Sequence, residues 1–70
     1  MKFNFDGFTN SKINEVIDEY IHSARDREIL RRRLIDGETY QEIADSMMLS
    51  PRTVRAICSC LQAKVFRHLP

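Results

Sequence analysis

The sequence predicts an all-α fold, a small domain of four helices, from two observations. Apolar residues recur in four segments at spacings of three and four residues, which places them on one face of an α-helix. Residues that cap or end helices lie between these segments. The predicted helices cover about residues 10–22, 24–36, 40–47 and 51–67. A chain of 70 residues has the length of one domain, predicted here as 1–70.

The first two predicted helices each have an N-cap and one apolar stripe. Asn10 or Ser11 is the predicted cap of the first, and Ser23 with Asp26 predicts a capping box for the second. Gly37 ends the second helix because glycine tolerates a positive φ. The stripes are Ile13, Val16, Ile17, Tyr20 and Ile21, then Ile29, Leu30 and Leu34. Residues 1–9 are predicted to form an irregular arm whose rings pack on the core or on a partner protomer: Phe3, Phe5 and Phe8.

The last two predicted helices begin at strong start signals. Thr39 and Glu42 form the pattern T-x-x-E, which predicts a second capping box. Ser50 is the predicted N-cap of the fourth helix, and Pro51 occupies the first helical position, where proline is favoured. Only Met48, Leu49 and Ser50 separate the two helices.

The spacing of apolar and small residues in this pair is that of a helix-turn-helix. The motif needs a small residue where the helices cross, which is Ala44. It needs an apolar residue after the turn, which is Leu49, and two inward residues on the second helix, which are Val54 and Ile57. With these residues inside, one face of the last helix is left free to enter a major groove.

Charge is distributed unevenly between the two parts of the chain. Residues 1–45 hold all ten acids and seven Lys or Arg, so 7 − 10 gives −3. Residues 46–70 hold no acid and four basic residues, Arg52, Arg55, Lys64 and Arg67, which gives +4. This basic end favours an anionic partner. The five arginines of the second helix have two interpretations, a solvated face with intrahelical ion pairs or a flank for DNA phosphates.

The predicted outer face has the chemistry of a reader of double-stranded DNA. Arginine is the usual bidentate partner of guanine, and a small alanine can touch a thymine methyl. The predicted base contacts are Arg52, Arg55, Ala56 and Ser59. Hydroxyl groups and a helix N-terminus bind phosphate. The predicted phosphate contacts are Thr39, Tyr40, Gln41, Ser50 and Thr53.

Other functional classes have little support in the sequence. Cys58 and Cys60 are two residues apart with no second pair, and His22 and His68 lack zinc-finger spacing, so neither a metal nor another cofactor is expected. We expect one cysteine in the core and one at the surface. No catalytic constellation is phased onto one surface, so an enzyme is not expected. There is no membrane-spanning run or signal peptide, and we expect a cytoplasmic protein.

Several short motifs within residues 27–55 occur together in a known superfamily. They are R-E-x-L at 27–30, Gly37, Y-x-E-I-A at 40–44 and L-S-P-R-T-V-R at 49–55. With them, the segment resembles the helix-turn-helix shared by the fourth conserved region of bacterial sigma factors and by LuxR-type regulators. The resemblance implies base contacts from Arg52 and Arg55 and phosphate contacts from Tyr40, Thr53 and their neighbours.

The motifs leave the choice of branch open. An amphipathic helix before the motif, and a recognition helix at the end of the chain, favour the sigma branch. Met48 favours the LuxR branch, because sigma-like turns commonly hold glycine there, whereas Ile57 stands where LuxR-type domains often have histidine. Arg32 stands where both branches often bury leucine, so the second helix is expected to rotate slightly or to expose that site.

Two functions are therefore predicted. The first is a small transcriptional regulator of phage or bacterial type that binds specific DNA sites, as a homodimer because one recognition helix makes few specific contacts. The second is a protein-binding module that docks on RNA polymerase or on another regulator, with DNA contact secondary.

Overall fold

The computed structural model describes residues 7–69, and the predicted arm residues Phe3 and Phe5 lie outside this range. Four helices are present in it: α1 (Asn10–Tyr20), α2 (Ala24–Leu34), α3 (Tyr40–Met47) and α4 (Pro51–His68). Within residues 7–69 there is no β-strand, so the all-α prediction is confirmed. The predicted bounds of α3 are confirmed, and α4 ends one residue later than predicted.

The predicted start of α1 at residue 10 is confirmed, but its predicted cap and its predicted end were wrong. Thr9 is the N-cap, and its hydroxyl accepts a hydrogen bond from the Lys12 amide at 3.2 Å. The helix ends at Tyr20 because Ile21 adopts an extended conformation. The Arg27 guanidinium then donates to the carbonyls of Ile21 and His22, at 2.9 and 3.0 Å. These two bonds satisfy carbonyl groups at the end of α1 that have no partner within the helix.

The second helix begins as predicted but ends two residues early. The Ser23 hydroxyl caps it by accepting from the Asp26 amide at 3.4 Å. The Asp26 carboxylate accepts instead from Arg25, at 3.2 Å, so the described contacts hold only half of the predicted capping box. At the other end, the amides of Ile35 and Asp36 both donate to the Arg31 carbonyl, which closes the helix before residue 36.

Gly37 has the predicted positive φ, +72°. This conformation turns the chain back, and the Glu38 amide donates to the Arg32 carbonyl at 2.9 Å. The turn leads directly into the capping box of α3. There the Thr39 hydroxyl accepts from the Glu42 amide at 3.1 Å, and the Glu42 carboxylate accepts from the Thr39 amide at 2.8 Å.

Two groups of buried side chains hold the helices together. The first joins α1 to α2 and to the far end of α4, and consists of Ile13, Val16, Ile17, Ile21, Leu30 and Val65. The second lies between α2, α3 and the first half of α4, and consists of Ile29, Ile43, Ala44, Val54 and Cys58. Tyr20, Leu34, Leu49 and Ile57, predicted to face inward, pack on these groups but stay half-buried.

The turn between α3 and α4 is tight and includes a residue in an uncommon conformation. Met48 ends α3 in the left-handed region, with φ 58° and ψ 43°, and its side chain is 92 % exposed. The Leu49 amide donates back to the Ala44 carbonyl at 2.9 Å. Ala44 is 1 % exposed, which fits the predicted need for a small side chain where the two helices cross.

Candidate nucleic-acid interface

The first half of α4 is fixed by its inward side. Val54 and Cys58 are fully buried against α2 and α3, and Ile57 packs beside them. Ser50 caps the helix by accepting from the Thr53 amide at 3.2 Å, and Pro51 occupies the first turn. Because the inward residues are locked, the opposite side of the helix is held toward solvent in a single orientation.

All four predicted base-contacting residues lie on the exposed side of α4. They are Arg52, Arg55, Ala56 and Ser59. Within residues 7–69, the guanidinium groups of Arg52 and Arg55 form no hydrogen bond or ion pair. Each can therefore bind an external anion or a base edge without first breaking an internal contact.

The arginines of α2 contrast with these two, because they contact the protein itself. Arg27 binds the carbonyls at the end of α1. Arg31 donates to Asn14 at 2.6 Å and to the Asp18 carboxylate, so it ties α2 to α1. Arg25 pairs with Asp26 at 3.2 Å. These contacts favour the structural interpretation of the arginine-rich helix over a flank for phosphates.

The remaining two arginines of α2 organise the turn that leads to α3. Arg32 pairs with Glu28 at 3.0 Å and with Glu38 at 3.4 Å. These two carboxylates pair with the charge of Arg32, which explains how an arginine is accommodated at this half-buried position. Leucine is common there in the superfamily that the sequence resembles. Arg33 donates to the Glu38 carbonyl at 2.9 Å, and its guanidinium carbon lies 4.4 Å from the centre of the Tyr40 ring.

The side chains of the predicted phosphate contacts on α3 already have partners. The Thr39 hydroxyl and amide are both used in the capping box. The Gln41 side chain donates to Asp45 at 2.9 Å, and the Tyr40 ring lies under Arg33. Within residues 7–69, the backbone amides of Tyr40 and Gln41 have no acceptor. The phosphate-binding capacity of this helix N-terminus therefore resides in two main-chain N–H groups and in the Tyr40 hydroxyl, which forms no hydrogen bond within this range.

The Glu42 carboxylate places a negative charge at the N-terminus of α3. Hydrogen bonds from the Thr39 amide, and then from its hydroxyl, lower the pKa of the exposed Glu42 carboxyl from its ordinary value of 4.5. The Glu42 carboxylate interacts favourably with the positive end of the helix dipole, and so takes the role that a bound anion would have there. The two free amides must bind a phosphate beside this charge, which weakens the site in comparison with an uncharged helix start.

The two predicted phosphate contacts at the start of α4 are exposed and joined to each other. The hydroxyl groups of Ser50 and Thr53 lie 2.9 Å apart in a hydrogen bond. In this bond one hydroxyl donates and the other accepts, so the hydroxyl that accepts keeps its own proton for an external acceptor. The pair can therefore bind a phosphate oxygen without losing the N-cap.

The cysteines are placed as the sequence predicts. Cys58 is buried and Cys60 is exposed. Burial raises the pKa of the Cys58 thiol, and the nearby positive charge of Arg33 opposes this rise. Cys58 therefore acts as a small apolar core residue. No helix in the described part of the chain is both long enough and apolar enough to span a membrane.

Comparison with protein families identifies the motif. The family model described as sigma-70, region 4 matches residues 23–56, which runs from the cap of α2 through the exposed arginines of α4. The helix-turn-helix of this chain resembles sigma-70 region 4. No curated protein and no solved structure gives a significant match to the chain.

The resemblance gives the site its general role. Sigma-70 region 4 is a helix-turn-helix DNA-binding domain, so the match points to DNA binding or to interaction with RNA polymerase. The matched segment includes Arg52, Arg55 and Ala56 but stops before Ser59 and before the last three turns of α4. The likeness to LuxR-type regulators stays a prediction.

Proposed function

We propose that the chain binds double-stranded DNA in a sequence-specific way, as a small transcriptional regulator, with residues 51–61 of α4 in the major groove. The observation that carries the proposal is the contrast among the arginines. Those of α2 are engaged in the protein, whereas Arg52 and Arg55 project from α4 without a partner in residues 7–69. Cations held exposed and unpaired on a rigid helix favour an anionic ligand on this side.

The chemistry of this face assigns a role to each residue. Arg52 and Arg55 donate to guanine O6 and N7, the commonest specific contact in the major groove. Ala56 allows the helix to approach closely and contacts a thymine methyl, and Ser59 donates to a base edge. The hydroxyls of Ser50 and Thr53 bind phosphates that border the groove.

The N-terminus of α3 contributes a further phosphate contact to the proposed complex. The free amides of Tyr40 and Gln41 point out of a helix end, where the helix dipole favours an anion. Thr39 takes part by holding this end in shape, since its own polar groups are bound to Glu42. These contacts fix the orientation of the protein, and α4 supplies the sequence preference.

The proposal includes a homodimer. One recognition helix makes few specific contacts, whereas two related by a two-fold axis read two half-sites about one helical turn apart. A palindromic binding site would support this arrangement. A single, asymmetric half-site bound by a monomer would contradict it.

The proposal is tested by selecting a preferred duplex from a random pool and measuring the affinity of Arg55→Ala for it. We expect a loss of about 1–3 kcal/mol on the preferred duplex and a relaxed preference at one base position. Lys12→Ala is the matched control, because Lys12 is a cation on α1 that pairs with Glu15 at 3.7 Å. An equal loss on preferred and scrambled duplexes would show that Arg55 contacts only phosphate.

A second candidate function is docking on RNA polymerase, which the charge of the remaining chain favours. Residues 1–45 carry −3, and Glu42 and Asp45 are exposed on α3, beside the proposed DNA-binding face. These carboxylates repel phosphate and suit a basic protein surface. Capture of purified polymerase by a protein that binds no duplex at low salt would establish this function in place of the first.

A further inference from the structure

Two more cations lie on α4, beyond the segment that matches the family model. Lys64 and Arg67 follow residue 61, where the proposed recognition segment ends. Neither forms an ion pair or a hydrogen bond within residues 7–69. No acidic residue follows Asp45 in the sequence. The far end of α4 therefore continues the positive charge of its first turns.

Arg67 lies on the same side of α4 as Arg52. The two residues are fifteen positions apart, which at about 100° per residue leaves them roughly 60° apart around the helix axis. Small side chains separate them along this side, and Ala56, Cys60 and Ala63 can all lie close to a flat surface. Lys64 is half-buried and lies one turn before Arg67, about 60° from it and about 120° from Arg52 around the axis, so it stands at the flank of this side.

α4 continues well beyond its recognition segment. Its 18 residues span about 27 Å at 1.5 Å per residue, of which the recognition segment takes up roughly 16 Å. Because α4 continues without a break for about 10 Å more, its last turns are long enough to reach a phosphate at the border of the groove.

The last turns of α4 are held in place by contacts with α1 and with Phe8, so the position of the far end of α4 is fixed by the fold. Val65 is fully buried against α1 and α2. The His68 ring stacks on Tyr20 of α1, with ring centres 3.7 Å apart and planes 5° from parallel. Phe66 meets the edge of Phe8 at 6.3 Å. These contacts fix the direction of Arg67 in relation to Arg52.

We propose that Lys64 and Arg67 bind backbone phosphates of the same DNA duplex, at the border of the groove that α4 enters. This inference rests on the proposed DNA-binding function and extends it to the whole length of α4. Phosphate contacts position the protein and carry no sequence information. The two residues therefore raise affinity for every duplex equally and leave the sequence preference to Arg52 and Arg55.

The test compares Lys64→Gln, Arg67→Gln and the double variant with the unmodified chain, on a preferred duplex and on a scrambled duplex of equal length. Affinity is measured over a series of salt concentrations. The slope of log K against log salt is negative, and we expect each substitution to reduce its magnitude by about 0.9, and the double variant to reduce it by about 1.8. The fold-loss in affinity is expected to be the same on both duplexes, and Arg67→Lys should keep the slope.

Lys12→Gln is the control, since it removes one cation from α1, outside the proposed interface. Thermal melting of each variant is recorded because a cation in the last turn of a helix also stabilises that helix. A variant that lowers the melting temperature but keeps the salt slope would overturn the inference, because the cation then serves only the helix. A loss confined to the preferred duplex would also overturn it, by assigning base contacts to these residues.

Failure of the inference differs from failure of the proposed function. If the unmodified chain binds duplex DNA and the double variant shows the same slope, only the phosphate contacts of Lys64 and Arg67 are wrong. If the unmodified chain binds no duplex at low salt, both are wrong.

Discussion

Replacing Met48 by glycine is expected to stabilise the protein. Met48 adopts a left-handed conformation, with φ 58°, which costs a residue with a Cβ about 1–2 kcal/mol. Glycine avoids this cost but is freer in the unfolded chain, which costs about 0.5–1 kcal/mol. The side chain is 92 % exposed, so its removal sacrifices little buried area. The difference between the two ranges runs from about 0 to about 1.5 kcal/mol, and we expect a gain near its middle, about 0.5–1 kcal/mol.

Thermal unfolding followed by circular dichroism measures this gain. In a domain of this size, 1 kcal/mol shifts the melting temperature by about 4–8 °C, so we expect Met48→Gly to raise it by about 2–8 °C. Met48→Ala is the matched control because it removes the same exposed side chain but keeps the Cβ. A fall for the glycine variant, or an equal rise for both variants, would refute the conformational argument. DNA sequence preference should not change, since Met48 lies in the turn.

Two further predictions concern the packing and the capping of the helix-turn-helix. Ala44→Leu should destabilise the protein by about 1–3 kcal/mol, because the added atoms overpack the crossing of α3 and α4. Ala56→Leu should instead keep the melting temperature and weaken DNA binding. The reverse pattern would mean that the inward and outward faces of the motif are misassigned. The pKa of Glu42 is lowered in the folded state, so its contribution to stability is present above pH 4.5 and is lost as the pH falls through the lower folded pKa. Glu42→Ala should therefore reduce the acid dependence of the melting temperature, and an unchanged pH profile would contradict the role of the capping box.

The helix order and the inward faces could be predicted because they depend on local signals. Thr39, Ser50 and Pro51 begin their helices as the pattern indicates. The cap of α1 was harder to place, since Thr9, Asn10 and Ser11 are adjacent and all three are good caps. The sequence alone gives no reason to choose the first of them.

The error at the end of α1 has a tertiary cause, whereas α2 closes early through the local hydrogen bonds of Ile35 and Asp36 to the Arg31 carbonyl. The Arg27 guanidinium binds the carbonyls that follow α1, and this contact spans two helices. A periodicity argument cannot detect it, because it treats each helix alone. The same limit applies to Arg31, whose partners Asn14 and Asp18 lie on α1.

The sequence was enough to predict which residues of the candidate site are exposed. It was not enough to predict which of them are free of contacts within the protein. Phasing from Val54 and Ile57 is enough to place Arg52, Arg55 and Ala56 on the outer side. Phasing does not reveal that the Gln41 side chain already donates to Asp45, whereas the engagement of Thr39 follows from its predicted capping box. Nor does it separate the engaged arginines of α2 from the free ones of α4, since both kinds look alike in sequence.

The reading of DNA by α4 is measured by the binding of the unmodified chain to a fluorescent random-sequence duplex pool. Anisotropy is followed over a salt series, and the bound fraction is sequenced. We predict an affinity that falls steeply with salt and an enriched motif that contains guanine. Absence of binding at low salt, or binding with no enriched sequence, would contradict it.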